Sequence, residues 1–136
     1  GSCRAEAVIC IPWYNSTWRD REYPELLAAI DAVDGPLVAA GDFNTSETEL
    51  WYDELDRRLL DVYDETNWGF GFTFPNAHPV NDWSFMPTPL VRIDYVWTKA
   101  GIEPVRSWID CSVPMSDHCA VVADLVIPES SAVSVR

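Results

Sequence analysis

The sequence predicts an α/β fold, a mixed β-sheet with helices on one face. Three observations predict it. Apolar runs of strand length stand at 5–11 and 36–40, each is followed by a segment with helical spacing, and three more strand-like runs after residue 90 have no helix between them. With 136 residues, 48% of them hydrophobic, the chain can bury a core of its own as one domain.

The elements follow in order. "AEAVICI" (5–11) reads as a buried or half-buried strand stopped by Pro12, and "PWYNSTWRDRE" (12–22) lacks any period and reads as a loop. In "YPELLAAIDAVDG" (23–35), Pro24 suits a first helical turn, Leu26, Leu27, Ile30 and Val33 share a face, and Gly35 supplies the stop. "PLVAA" (36–40) is continuously apolar, as in a strand covered on both faces. Ser46 and Glu49 match a capping box, after which Trp51, Leu55 and Leu59 recur along a second helix. "GFGFTFP" (69–75) alternates as a strand does, and 76–90 is a Pro-, Asn- and Asp-rich loop. "VRIDYVWT" (91–98), "PVRSWID" (104–110) and "CAVVADLVI" (119–127) are three further strands, and 128–136 is a frayed tail. No internal repeat or low-complexity tract interrupts the unit.

Composition narrows the function. A formal net charge of −13, from 22 acids against 9 bases, disfavours a nucleic-acid binder that relies on nonspecific phosphate attraction. It permits cation binding, although a solvated acidic surface accounts for most of these charges. Cys3, Cys10, Cys111 and Cys119 show no C-x-x-C spacing, which argues against structural zinc. Two disulfides are open to four cysteines, but the spacing selects no pairing and leaves the redox compartment open. No stretch is long and apolar enough to span a bilayer, and no signal peptide is evident. Gly1-Ser2 reads as a scar of tag removal, so the natural N-terminus is expected elsewhere.

Three stretches place ionisable groups beside apolar strands: "GDFN" with Asp42 and Asn44, "RIDYVW" with Asp94, and "SDHCAVVADL" with Asp117 and His118. On an extended backbone Asp42 and Asn44 point one way and Phe43 the other. Asp94, inside an apolar run, needs a partner. His118 is one candidate, since an acid fixes an imidazole's tautomer and raises its basicity, and Arg92, two residues away, is another. Each motif alone has a plainer reading: a strand-to-turn transition at Asp42, a structural ion pair at Asp94, a strand-end cap at His118.

In this order "GDFN", "GFTF", "RIDYVW" and "SDH" resemble the C-terminal half of the endonuclease/exonuclease/phosphatase superfamily, over about residues 5–127. That DNase I-like group includes pancreatic deoxyribonuclease, abasic-site endonucleases, sphingomyelinases and inositol phosphatases. The resemblance implies half of a four-layer α/β sandwich, with residues 1–127 supplying one sheet and its helices. It implies a metal-dependent phosphoesterase using Mg²⁺ or Mn²⁺ on a phosphodiester or phosphomonoester. By position, Asp42 is expected to orient or deprotonate the attacking water and Asn44 to donate to phosphoryl oxygens. His118, oriented by Asp94, contacts phosphate or nucleophile, and Asp117 lies near the metal. This suits phosphoryl transfer, which needs positioning and charge neutralisation more than covalent catalysis.

The chain also departs from the pattern. The family's metal-binding Asn and Glu precede everything seen here, and no segment of this chain matches them. Cys10 stands where many relatives carry a phosphate-directed His or Tyr. A second reading is therefore a non-catalytic binding or assembly module that keeps half of the fold. An uncovered sheet face predicts self-association or complementation by the other half. The acidic balance favours a small or lipid-like phosphoester and leaves nucleic acid open. His78 is expected to be solvated, and Trp13, Trp18, Trp68 and Trp83 fall in or beside loops, as a substrate rim or as packing.

Overall fold

The apolar runs assemble into two ladders, not one. The computed structural model describes residues 19–77, 85 and 89–129, with the backbone alone of residues 8–10. Strand β1 (Val8–Cys10), helix α1 (Arg19–Asp31) and strand β2 (Leu37–Asp42) form a crossover unit in which β1 and β2 run parallel, Val8 opposite Val38. Helix α2 (Leu50–Asp56), the short strand β3 (Leu60–Asp61) and helix α3 (Val62–Thr66) follow. Strand β4 (Asp94–Lys99) then returns antiparallel between β2 and β3, giving the order β1-β2-β4-β3. Among the described residues, strands β5 (Glu103–Asp110) and β6 (Ala120–Val126) pair with each other alone, as a separate antiparallel sheet.

The pleat explains why both faces of the larger sheet need cover. Leu37, Ala39, Tyr95 and Trp97 alternate onto one face, where they form the core with Tyr23, Leu27 and Ile30 of α1 and Leu55 of α2. Tyr23 stacks on Trp51 at 4.7 Å, which joins the two helices. Val38, Ala40, Val96 and Thr98 take the other face. There β6 lies against β4 while α3 lies against β5, and Val96 and Thr98 are buried. The mixed sheet with helices α1 and α2 on one face is as expected, and the β5–β6 hairpin adds a second ladder that contacts β4.

Element boundaries differ from the sequence reading where local chemistry outweighs periodicity. Helix α1 begins at Arg19, not at Pro24, and carries Asp20 and Glu22 in its first turn, where the N-terminal dipole favours acids. Pro24 sits inside it and forfeits a single backbone bond. The capping box forms only in part. Ser46 N–H donates to Glu49 Oε2 at 2.7 Å, but Ser46 Oγ turns to Thr48, and α2 starts at Leu50. The 69–75 strand does not form. Gly69 and Gly71 adopt φ of 134° and 59°, and the only pairing described there is one bridge, Phe74 opposite Val91. A Cβ on Gly71 would lie 2.4 Å from the Tyr63 ring, so that glycine also admits a close approach.

Arg92 is not a partner of Asp94. Its side chain is 2% exposed and binds Asp61, with Nη2 2.7 Å from Oδ2 and Nη1 3.1 Å from Oδ1, while Glu47 pairs with it from the surface. The Tyr95 ring lies 4.8 Å below the guanidinium. Asp61 also caps α3 through Tyr63 N–H and accepts from Tyr52 Oη at 3.0 Å. Removing the Asp61 charge strands a buried cation, so Asp61→Asn should cost about 3–5 kcal/mol, whereas Glu47→Gln, at the exposed end, should cost under about 1 kcal/mol. Urea unfolding of both variants checks this, and equal losses would contradict the assignment of the buried pair.

Candidate active site

The site lies where the two sheets meet, at the end of β2. The β2–β4 register closes with Asp42 directly opposite Asp94, on the face away from α1 and α2. His118 arrives from the loop before β6. Its Nδ1 is 2.8 Å from Asp94 Oδ2 and its Nε2 is 3.8 Å from Asp42 Oδ2. The Phe74 ring packs 4.9 Å from the imidazole. The Asp94–His118 pairing expected from sequence is thus present in the fold.

The stretch after Asp42 turns instead of continuing the strand. Asn44 has φ 48°, which Asn tolerates better than most residues, and its N–H donates to Asp42 Oδ1 at 2.8 Å. Phe43 points into the core as the alternation required. Three consecutive carbonyls are then held by side chains: Phe43 O by Tyr23 Oη at 2.6 Å, Asn44 O by Arg19 Nη1 at 3.1 Å, and Thr45 O by Tyr95 Oη at 3.0 Å. Asn44 Nδ2 is buried and near enough to the Asp42 carboxylate to favour its charged form, and it makes no hydrogen bond of ordinary geometry to a described group.

Asp117 takes a different position. Its side chain is exposed, and its backbone carbonyl accepts from Asn76 N at 2.6 Å. The acidic group whose ligand atoms lie within 4.8 Å of one another is Asp42, Asp94 and His118, without Asp117. Trp68 is fully exposed. His78, Trp13, Trp18, Trp83, the Cys10 side chain and the 130–136 part of the tail lie outside the described residues.

Electrostatics follow from this crowding. Burial pushes the Asp42 carboxyl above the ordinary range, and the Asp94 charge adds to it, against the Asn44 N–H and His118. The hydrogen bond to Asp94 raises His118 above the ordinary imidazole value, against burial, with Asp94, Asp42 and Asp117 charges helping. Two carboxylates beside one imidazole leave excess negative charge that a hard divalent cation would relieve. Mg²⁺ keeps several waters and needs few protein oxygens, so Asp42 and Asp94 fit such an ion.

Sequence reasoning missed the residues that join the sheets. Thr73 is fully buried, with Oγ1 3.3 Å from both Ile93 N and Asp94 N, and its carbonyl accepts from Cys119 N at 2.7 Å. Cys119 is disulfide-bonded to Cys111, which closes the loop carrying His118. The signal available was Thr73 and Asn76 as polar residues flanking an aromatic-proline pair, but a strand assignment concealed it.

Comparison with known proteins fits this geometry. The sequence profile of the Endonuclease/Exonuclease/phosphatase family matches residues 6–118. The chain belongs to that family. A search of curated proteins found no match. Among solved structures, a functionally unknown conserved protein from Enterococcus faecalis is similar at TM-score 0.65 and 19% identity, over 88% of this chain and 48% of that one. A family member from Bacteroides vulgatus gives 0.63 and 21%, over 81% and 44%. A mannosyl-6-phosphatase from Bacteroides thetaiotaomicron gives 0.56 and 22%, over 80% and 44%. These likenesses show the DNase I-like fold, and the chain spans less than half the length of each of these relatives.

The pH dependence has a definite sign. With both folded values raised, His118 and Asp42 stabilise the fold fully below their unfolded values, and that contribution fades as pH rises through the raised ones. Asp94→Asn removes the main cause at His118 and leaves burial, so the imidazole should titrate at lower pH than in the unsubstituted chain. Histidine NMR titration measures this. An unmoved His118 curve would detach the pair.

Proposed function

We propose that the chain carries the water-activating half of a metal-dependent phosphoesterase site. The observation that carries the reading is the convergence of Asp42, Asp94 and His118 at one sheet end in a member of this family. Asp42 orients the attacking water and accepts its proton. The protonated His118, fixed by Asp94, presents Nε2–H to the phosphate. Its 3.8 Å distance from Asp42 lets one oxygen contact both groups. Asn44 Nδ2 donates to a phosphoryl oxygen as charge builds. Asp42 and Asp94, with Asp117 near the ion as the resemblance implies, are the carboxylates that would hold Mg²⁺ or Mn²⁺, and such an ion would supply charge neutralisation.

The remaining ligands would come from the part of the longer relatives' domain that this chain does not cover, on the same or another chain. Net charge of −13 favours a small or lipid-like phosphoester over duplex nucleic acid.

Chromogenic phosphomonoester and phosphodiester hydrolysis with Mn²⁺ or Mg²⁺, and with chelator, tests the reading. Turnover should need metal and fall at least about 10²-fold in Asp42→Asn and in His118→Ala. Turnover indifferent to chelator and to both substitutions would overturn it. No turnover by this chain alone would assign the metal to the rest of the domain, and no turnover in the same assay with that part added would favour the binding-module reading.

A further inference from the structure

We infer that Asn76 is the positioning residue that sets His118 against Asp94, a role that rests on the phosphoesterase reading only for its kinetic consequence. The loop from Cys111 to Cys119 joins β5 to β6 and forms no ladder of its own. Its ends are tied by the disulfide and the strands, and its middle is gathered on one carboxamide. Asn76 is 2% exposed, and its Nδ2 lies 3.1 Å from Val113 O, 3.1 Å from Ser116 O and 3.4 Å from His118 O. Its backbone N–H takes Asp117 O at 2.6 Å.

Two N–H groups facing three carbonyls is a task that Asn suits and its neighbours in chemistry do not. A carboxylate would turn acceptors onto acceptors, a hydroxyl offers one donor, and Gln would not fit the same buried space. Three residues earlier, Thr73 Oγ1 holds Asp94 N and Thr73 O holds Cys119 N. Asp94 and His118 are therefore both placed relative to the segment 73–76, and Asn76 fixes the imidazole's side of that relation.

Asn76→Asp keeps the volume and removes the donors. In the 136-residue chain, the hydrogen-bonded Nδ1–H resonance of His118 should shift or vanish, as it must in Asp94→Asn; His78→Gln assigns the two histidines. On the ester turned over by the unsubstituted chain, kcat should fall about 10²-fold with KM little changed, as a misplaced group acts on the transition state. A His118 resonance at its original position, with kcat unchanged, would overturn the assignment. Should Asn76→Asp fail to fold, the unsubstituted chain still decides: the Asn76 carboxamide protons should exchange slowly and show contacts to Val113 and Ser116, and exchange at the solvent rate would overturn it. A shifted resonance in a domain that shows no turnover even with the rest of the longer relatives' domain supplied would count against the phosphoesterase reading and leave the positioning role standing.

Discussion

The structure depends on the register of β2 against β4. That ladder ends with Asp42 opposite Asp94, and like charges directly across a strand pair repel. His118 is what makes the juxtaposition tolerable, because its ring meets both carboxylates at once. The same register places Ala39 opposite Trp97 and Gly41 opposite Tyr95, so the aromatic core and the acidic site are two faces of one pairing. A slip of one residue would turn the acids into the core and the aromatics out of it.

Much of this was legible in the chain. Period-two alternation correctly sent Phe43 inward, the apolar runs located β2, β4, β5 and β6, and the order of short motifs pointed to a family that the sequence profile confirms. What escaped was set by contacts between distant residues. Arg92 stands two positions from Asp94, yet it pairs with Asp61, thirty-one residues upstream, because β3 lies beside β4. Nothing in the spacing of Cys111 and Cys119 singled them out, whereas the hairpin brings their Cα atoms to 4.2 Å. The Gly-Phe alternation of 69–75 imitated a strand because it ignores backbone sign: two glycines at positive φ break the pleat.

Placement of the chemistry is correspondingly divided. The loop after Asp42 is held by side-chain donors from α1 and from Tyr95 of β4, which points to the α1 and α2 side of the larger sheet. His118 is held by the 73–76 segment and a disulfide on the hairpin side. Neither half of the arrangement was visible as a motif, since each consists of side chains binding main-chain carbonyls far away in sequence.

That division makes the candidate site a seam between two separately bonded ladders. Among the described residues β5 and β6 pair with each other and with no strand of the four-stranded sheet, so the hairpin can part from the sheet once a few loop and side-chain bonds, Cys119 N to Thr73 O among them, give way. Such parting would carry His118 away from Asp94 while leaving the Trp97–Tyr95 core intact. The His118–Asp94 pair therefore depends on contacts across the seam that neither ladder supplies on its own.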